Sequence, residues 1–158
     1  DGLIPGVAAP VAMIGTAEKG WLTLELAAAE TGGHASMPPP HTAIGVLAGA
    51  IHRLETNPMP AAIKPPVSEL FQTVAPEMPF VRRMMFANLW LFGPLVRRQL
   101  ARSPATNAAI RTTSAVTIVK GGTRDNVLPK SASAVVNFRI LPGESNHQHH
   151  RICPTCDR

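Results

Sequence analysis

Residues 131–141 read SASAVVNFRIL, and their alternation decides the fold: Ala132, Ala134, Val136, Phe138 and Ile140 fall on one face, Ser133, Val135, Asn137 and Arg139 on the other. A strict period of two is the pattern of a strand with one face turned to a core. Immediately upstream, residues 112–120, TTSAVTIVK, are rich in β-branched side chains and predict a second strand. Between the two lies GGTRDNVLPK, with turn residues at its start and a proline near its end. The pair therefore reads as an antiparallel hairpin with a long loop. Nearer the start of the chain, residues 21–27, WLTLELA, alternate again, with Leu22, Leu24 and Leu26 on one face and Trp21, Thr23 and Glu25 on the other.

That first strand leaves through TGGHASMPPPHT, whose two glycines and three prolines neither a helix nor a ladder tolerates. From Thr42 to Asn57 the apolar residues Ile44, Leu47, Ile51 and Leu54 recur near the helical period, with Ala48 between them, and Pro58 stops the pattern. Residues 58–66 are proline-rich and read as a linker, and residues 67–104 have helical character without one clean stripe. The order strand, helix, inserted helices, strand, strand matches the opening of a split βαβ unit, which makes the chain an α+β domain of ferredoxin-like type. The domain is placed at 1–143, with 58–104 as the inserted helical segment. The closing helix and strand are missing from the pattern, so either the first strand or the 131–141 strand should lie at an open sheet edge.

Composition narrows the class further. The 158 residues are 45% apolar, 16% charged and 4% aromatic, within the range of an ordinary globular domain. No run of 18 apolar residues exists, and the opening DGLIPGVAAP has neither a basic n-region nor a continuous apolar h-region. Neither a membrane span nor secretion is expected, and cytoplasmic location is the default reading. The net charge of +5 is uneven, with Arg82, Arg83, Arg97, Arg98 and Arg102 gathered in one stretch. Between those arginines, residues 84–96 are apolar except for Asn88 and are too few to cross a bilayer. The segment reads first as packing between inserted helices. Its second reading is a greasy surface that receives a lipid chain or touches a membrane interface. RNA binding on the sheet is not expected, because Phe138 and Trp21 are the only aromatic residues of the strands and stacking platforms need several.

His34 stands in GGHASMPP, where glycines allow close backbone approach, prolines shape the loop, and an imidazole exchanges a proton near neutral pH. Its plain alternative is a solvated loop histidine. Taken together, GGHASMPP, TAIGVLAGAIHRLE, RTTSAVTIVKGG and DNVLPKSASAVVNFRILPG resemble, in the same order, the lid or dimerisation domain of the dinuclear-zinc exopeptidases that include carboxypeptidase S, aminoacylase and glutamate carboxypeptidase. The middle block PFVRRMMFANLWLFGPLVRRQL is similar to the branch containing carboxypeptidase S and the N-fatty-acyl amino acid hydrolase/synthase.

The resemblance implies a division of labour. Two zinc ions belong to a separate catalytic domain of the parent enzyme, whose H-x-D motif and Glu-Asp pair have no match here. The chain itself is then a fragment with no metal ligands, no cofactor and no catalysis of its own. Its implied partners are a second lid in a homodimer, the catalytic domain, and a peptide or N-acyl amino acid substrate. The histidine at His34 is implied to stabilise the developing oxyanion, either across the dimer interface or folded over from the lid. Asn126 and Arg139 are implied to hold the polar end of the substrate, with Arg139 suited to bidentate carboxylate recognition. Arg111 matches the branch motif and is implied, with less weight, to contact the substrate too, since an arginine at a strand entry is commonly structural. The rival is a stand-alone dimerisation or membrane-contact module. Residues 144–158 depart from the family; His147, His149, His150, Cys153 and Cys156 include zinc-ligand types in a C-x-x-C setting. A non-native end is the expectation there, ahead of a metal site.

Overall fold

The computed structural model describes residue 12 and residues 14–144; the histidines and cysteines of the tail lie outside them. Strands β1 (Gly20–Ala29), β2 (Gly33–His34), β3 (Thr113–Lys120), β4 (Val127–Leu128) and β5 (Ser131–Ile140) combine with helices α1 (Ala43–Thr56), α2 (Val67–Val74), α3 (Phe80–Ala87), α4 (Leu89–Leu100) and α5 (Pro104–Ala109). The described chain divides into two compact units, one of Trp21–Met59 with Thr113–Arg139, the other of Pro60–Thr112 with residues flanking it at both ends.

The first unit carries the sheet, in the order β1-β5-β3. Strand β5 is therefore central, which removes it as the candidate for the open edge; β1 and β3 are the edges. Every even-numbered residue of β5 is buried, because a central strand has both ladders paired and one whole face covered. The hairpin is antiparallel, with Thr113 opposite Arg139 and Val116 opposite Val136. A register shift between Val116 and Ile118 is a bulge that turns Ile118 to the face of Val135 while Val116 stays with Val136. Edge strands accommodate such an extra residue because only one side of their ladder is disturbed.

Helix α1 begins at Thr42, whose Oγ1 accepts from the Gly45 amide at 3.1 Å. That bond satisfies one of the donors a helix start leaves over. Its inward stripe is Ala43 and Leu47, which pack with Ala132 and Ala134 of β5, joined by Leu26, Ala28, Ile51 and Val116. Ile44, expected inward from its period, is instead 46% exposed. One position round the helix, Ala43 takes the inward place, and Ile44 turns to the side, against the Gly121 loop.

In the second unit, Val74 and Met78 are buried with Leu70 and Phe86 against them, and the Phe71 and Phe86 rings stack at 4.5 Å between centroids. Buried Thr112 donates from Oγ1 to Glu144 at 2.6 Å and accepts from the Leu141 amide at 2.9 Å, while Lys64 reaches the other carboxylate oxygen at 3.1 Å. The expected packing of residues 84–96 is only partly realised. Val96 is buried, but Met84, Trp90, Leu91 and Leu95 are exposed. Helices α3 and α4 meet at Asn88, which leaves helical geometry at φ −119°, ψ 50°, and a helix of this length can bury only the stripe it turns toward a neighbour.

Candidate functional site

The loop that carries His34 is built by two glycines with positive φ, Gly32 at 67° and Gly33 at 148°. A β-carbon on Gly32 would stand 2.8 Å from Lys130 Cγ and 3.0 Å from the Leu128 carbonyl. Both the dihedral and the space therefore require glycine there. Gly32→Ala is expected to destabilise this loop by about 1–2 kcal/mol, the cost of a non-glycine residue in the left-handed region, raised by the contact with Leu128. A thermal melt of the variant checks it, and an unchanged midpoint would mean that the loop has another available path.

Beyond the glycines, β2 pairs with β4, so that His34 stands opposite Val127 and Gly33 opposite Leu128. The next amide, Ala35, donates to the Asn126 carbonyl at 3.0 Å, and a turn closes from the Met37 amide to the His34 carbonyl at 3.2 Å. His34 and Asn126, 92 positions apart in the chain, are thereby neighbours on an exposed surface. Inside the turn, the Ser36 amide donates to His34 Nδ1 at 3.2 Å, and the Ser36 hydroxyl lies 2.8 Å from the same nitrogen. An N–H directed at Nδ1 makes that atom an acceptor, so the proton of the neutral ring resides on Nε2. The ring is held by one nitrogen and presents the other as a donor. Ser36 was not singled out in the sequence, although its place two residues after a loop histidine is the spacing from which a turn amide reaches back.

The remaining two candidates are Arg139 and Arg111. Arg139 is exposed on β5, opposite Thr113. It stands eight residues along the strand from Ser131, roughly 26 Å at the usual rise, and it is Ser131 that lies nearer to Asn126 along the chain. Arg111 belongs to the second unit; its carbonyl accepts from Lys19 at 2.7 Å, and its Nε is buried without a hydrogen bond among the described residues. Zinc needs several converging His, Cys or carboxylate side chains. No group of three or more such residues converges among the described residues, so those present do not form a site for it. No helix among them is long and apolar enough to cross a membrane.

The sheet β1-β5-β3 with α1 packed on it makes an α+β domain, and its exposed loop histidine is held by its own turn. Residues 16–152 match the family model of the peptidase dimerisation domain, and the chain belongs to that family. It is 47% identical over 146 residues to the N-fatty-acyl-amino acid synthase/hydrolase of Xenopus tropicalis, covering 92% of this chain and 28% of that protein. The human protein of the same name is also 47% identical, with 92% and 29% covered. Carboxypeptidase S of Saccharomyces cerevisiae is 30% identical over 143 residues, with 85% and 24% covered. The chain thus spans less than a third of the length of the curated relatives it matches. Enzymes of this family typically depend on zinc.

Proposed function

We propose that this chain is the lid and dimerisation domain of a hydrolase that cleaves or forms the amide bond of a peptide or N-acyl amino acid, the chemistry being carried out by a catalytic domain outside the chain. The zinc ions belong to that domain. The observation that carries the reading is the Ser36 amide on His34 Nδ1, which leaves Nε2–H as a fixed donor on an exposed loop. When a carbonyl is attacked, its oxygen gains negative charge, and a donor already oriented stabilises that charge without reorganising in the transition state. Asn126, brought beside His34 by the β2–β4 pairing, offers an amide to the polar groups of the same substrate.

Arg139 stands toward the opposite end of β5 from Ser131 and holds a substrate carboxylate through its planar fork. That separation supports a dimer in which the histidine of one lid serves the partner's substrate while the arginine serves its own. The open edges of β1 and β3 are surfaces on which a second lid can pair, and closed two-fold assembly is the commonest outcome of such pairing. Arg111, whose Nε is buried without a hydrogen bond among the described residues, is the lesser candidate for a substrate contact.

Assays of the isolated chain with added zinc or cobalt are expected to show no amidase activity, since two-metal chemistry needs ligands that do not converge among its described residues. Turnover of an N-acyl amino acid by this chain alone would overturn the proposal. In the parent enzyme, Arg139→Ala is expected mainly to raise KM, because a carboxylate contact exists in the ground state as well as the transition state. A fall in kcat at constant KM would remove Arg139 from that role.

A further inference from the structure

The exposed side of α3 and α4 is apolar where a surface helix is ordinarily polar. On α3, Phe80 is 73% exposed and Met84 lies one turn on. On α4, Trp90 is 83% exposed, and Leu91 and Leu95, one turn apart, are more than half exposed. The same helix buries Val96 on its opposite side, so its outward stripe is the apolar one left over after packing. Arginines follow directly: Arg97 and Arg98 occupy the last turn of α4, both exposed, and exposed Arg83 stands on α3 beside Met84. No Asp or Glu occurs between Glu77 and Asp125, so this cationic stretch has no acidic residue of its own segment to neutralise it.

We propose that this face docks on an anionic lipid bilayer, with α4 lying in the plane of the interface, Trp90, Leu91 and Leu95 below the headgroups and Arg97 and Arg98 among the phosphates. Apolar side chains with an indole at their boundary and arginines on the adjoining turn are the composition of an interfacial helix, and twelve residues are too few to span. The lack of acidic residues on α3 and α4 themselves, the nearest in sequence being Glu77 before α3, matters because an anionic surface repels carboxylates as strongly as it attracts guanidinium groups. A protein partner would need an acidic face to match the arginines; a lipid surface supplies that charge together with the apolar layer.

Trp21 and Trp90 are the only tryptophans, so Trp21→Phe leaves Trp90 as the sole fluorescent reporter in the 158-residue chain. Vesicles of phosphatidylserine and phosphatidylcholine should shift its emission to shorter wavelength and bring the chain down on sedimentation, while pure phosphatidylcholine should do neither. Arg97→Gln with Arg98→Gln should weaken partitioning by roughly thirtyfold, about fivefold per arginine, and Arg97→Lys with Arg98→Lys should restore it. Leu91→Ser with Leu95→Ser should abolish the shift and leave the melting temperature in place, since both residues are exposed. Sedimentation with unshifted Trp90 emission would mean charge adsorption without insertion, and equal binding to neutral vesicles would remove the arginines' role; either overturns the proposal. So would a parent enzyme that ignores anionic vesicles while this chain binds them, because another part of that enzyme would then be what covers the face.

Discussion

In the parent enzyme, His34→Ala is expected to lower kcat by roughly 10²–10³ with a much smaller change in KM, the signature of a donor that meets the oxyanion in the transition state. The effect amounts to about 3–4 kcal/mol, the range for one lost oxyanion donor. It is large for an exposed residue, because the cost arises in the reaction and not in the fold. Ser36 accounts for the orientation: its amide fixes Nδ1 as acceptor, so a glutamine at position 34 would bring an N–H but lack the ring that the turn holds. Zinc content should stay constant in the variant, since the turn engages Nδ1 as an acceptor and leaves Nε2 protonated, a donor rather than a metal ligand. Metal loss alongside activity, or a lowered melting temperature with normal kinetics per folded molecule, would show that His34 acts as a ligand or as structure instead.

Leu47→Ala is expected to cost about 3 kcal/mol of stability, within the usual span for a buried leucine reduced to a methyl group. Leu47 is 3% exposed and sits between Ala43, Ala132 and Ala134. Small neighbours on that side have no side-chain length with which to fill the cavity. Against a typical domain stability of about 5–15 kcal/mol, such a loss would be plain in denaturant titration. Ile44→Ala, one turn earlier on the flank of the helix, should cost only about 0.5 kcal/mol. Equal losses at the two positions would contradict the helix orientation described above.

The alternation of residues 131–140 was enough by itself to define β5 and its buried face, because period two commits alternate side chains to opposite sides wherever the strand lies. For β1 the alternation gave the strand and put Leu22 and Leu26 on its half-buried face, although Leu24 of the same face is exposed; α1 lies within one residue of its expected bounds, Thr42 and Asn57 being its caps. The hairpin of β3 and β5 was likewise legible, since the two strands follow one another in the chain with only the loop GGTRDNVLPK between them. Periodicity states which face is apolar but not which neighbour covers it. That is why Ile44 turned out half-exposed and why the greasy face of α4 lies open beside a stripe that packs. The edge position of β1 and the central place of β5 depend on pairings between residues more than a hundred positions apart, which no local pattern encodes. The site follows the same division. GGHASMPP marked a loop histidine, but only the folded turn sets the Ser36 amide on Nδ1, and only the β2–β4 pairing brings Asn126 to it. Arg139 is held toward the far end of the strand, since an extended chain of fixed rise cannot bring Ser131 and Arg139 together.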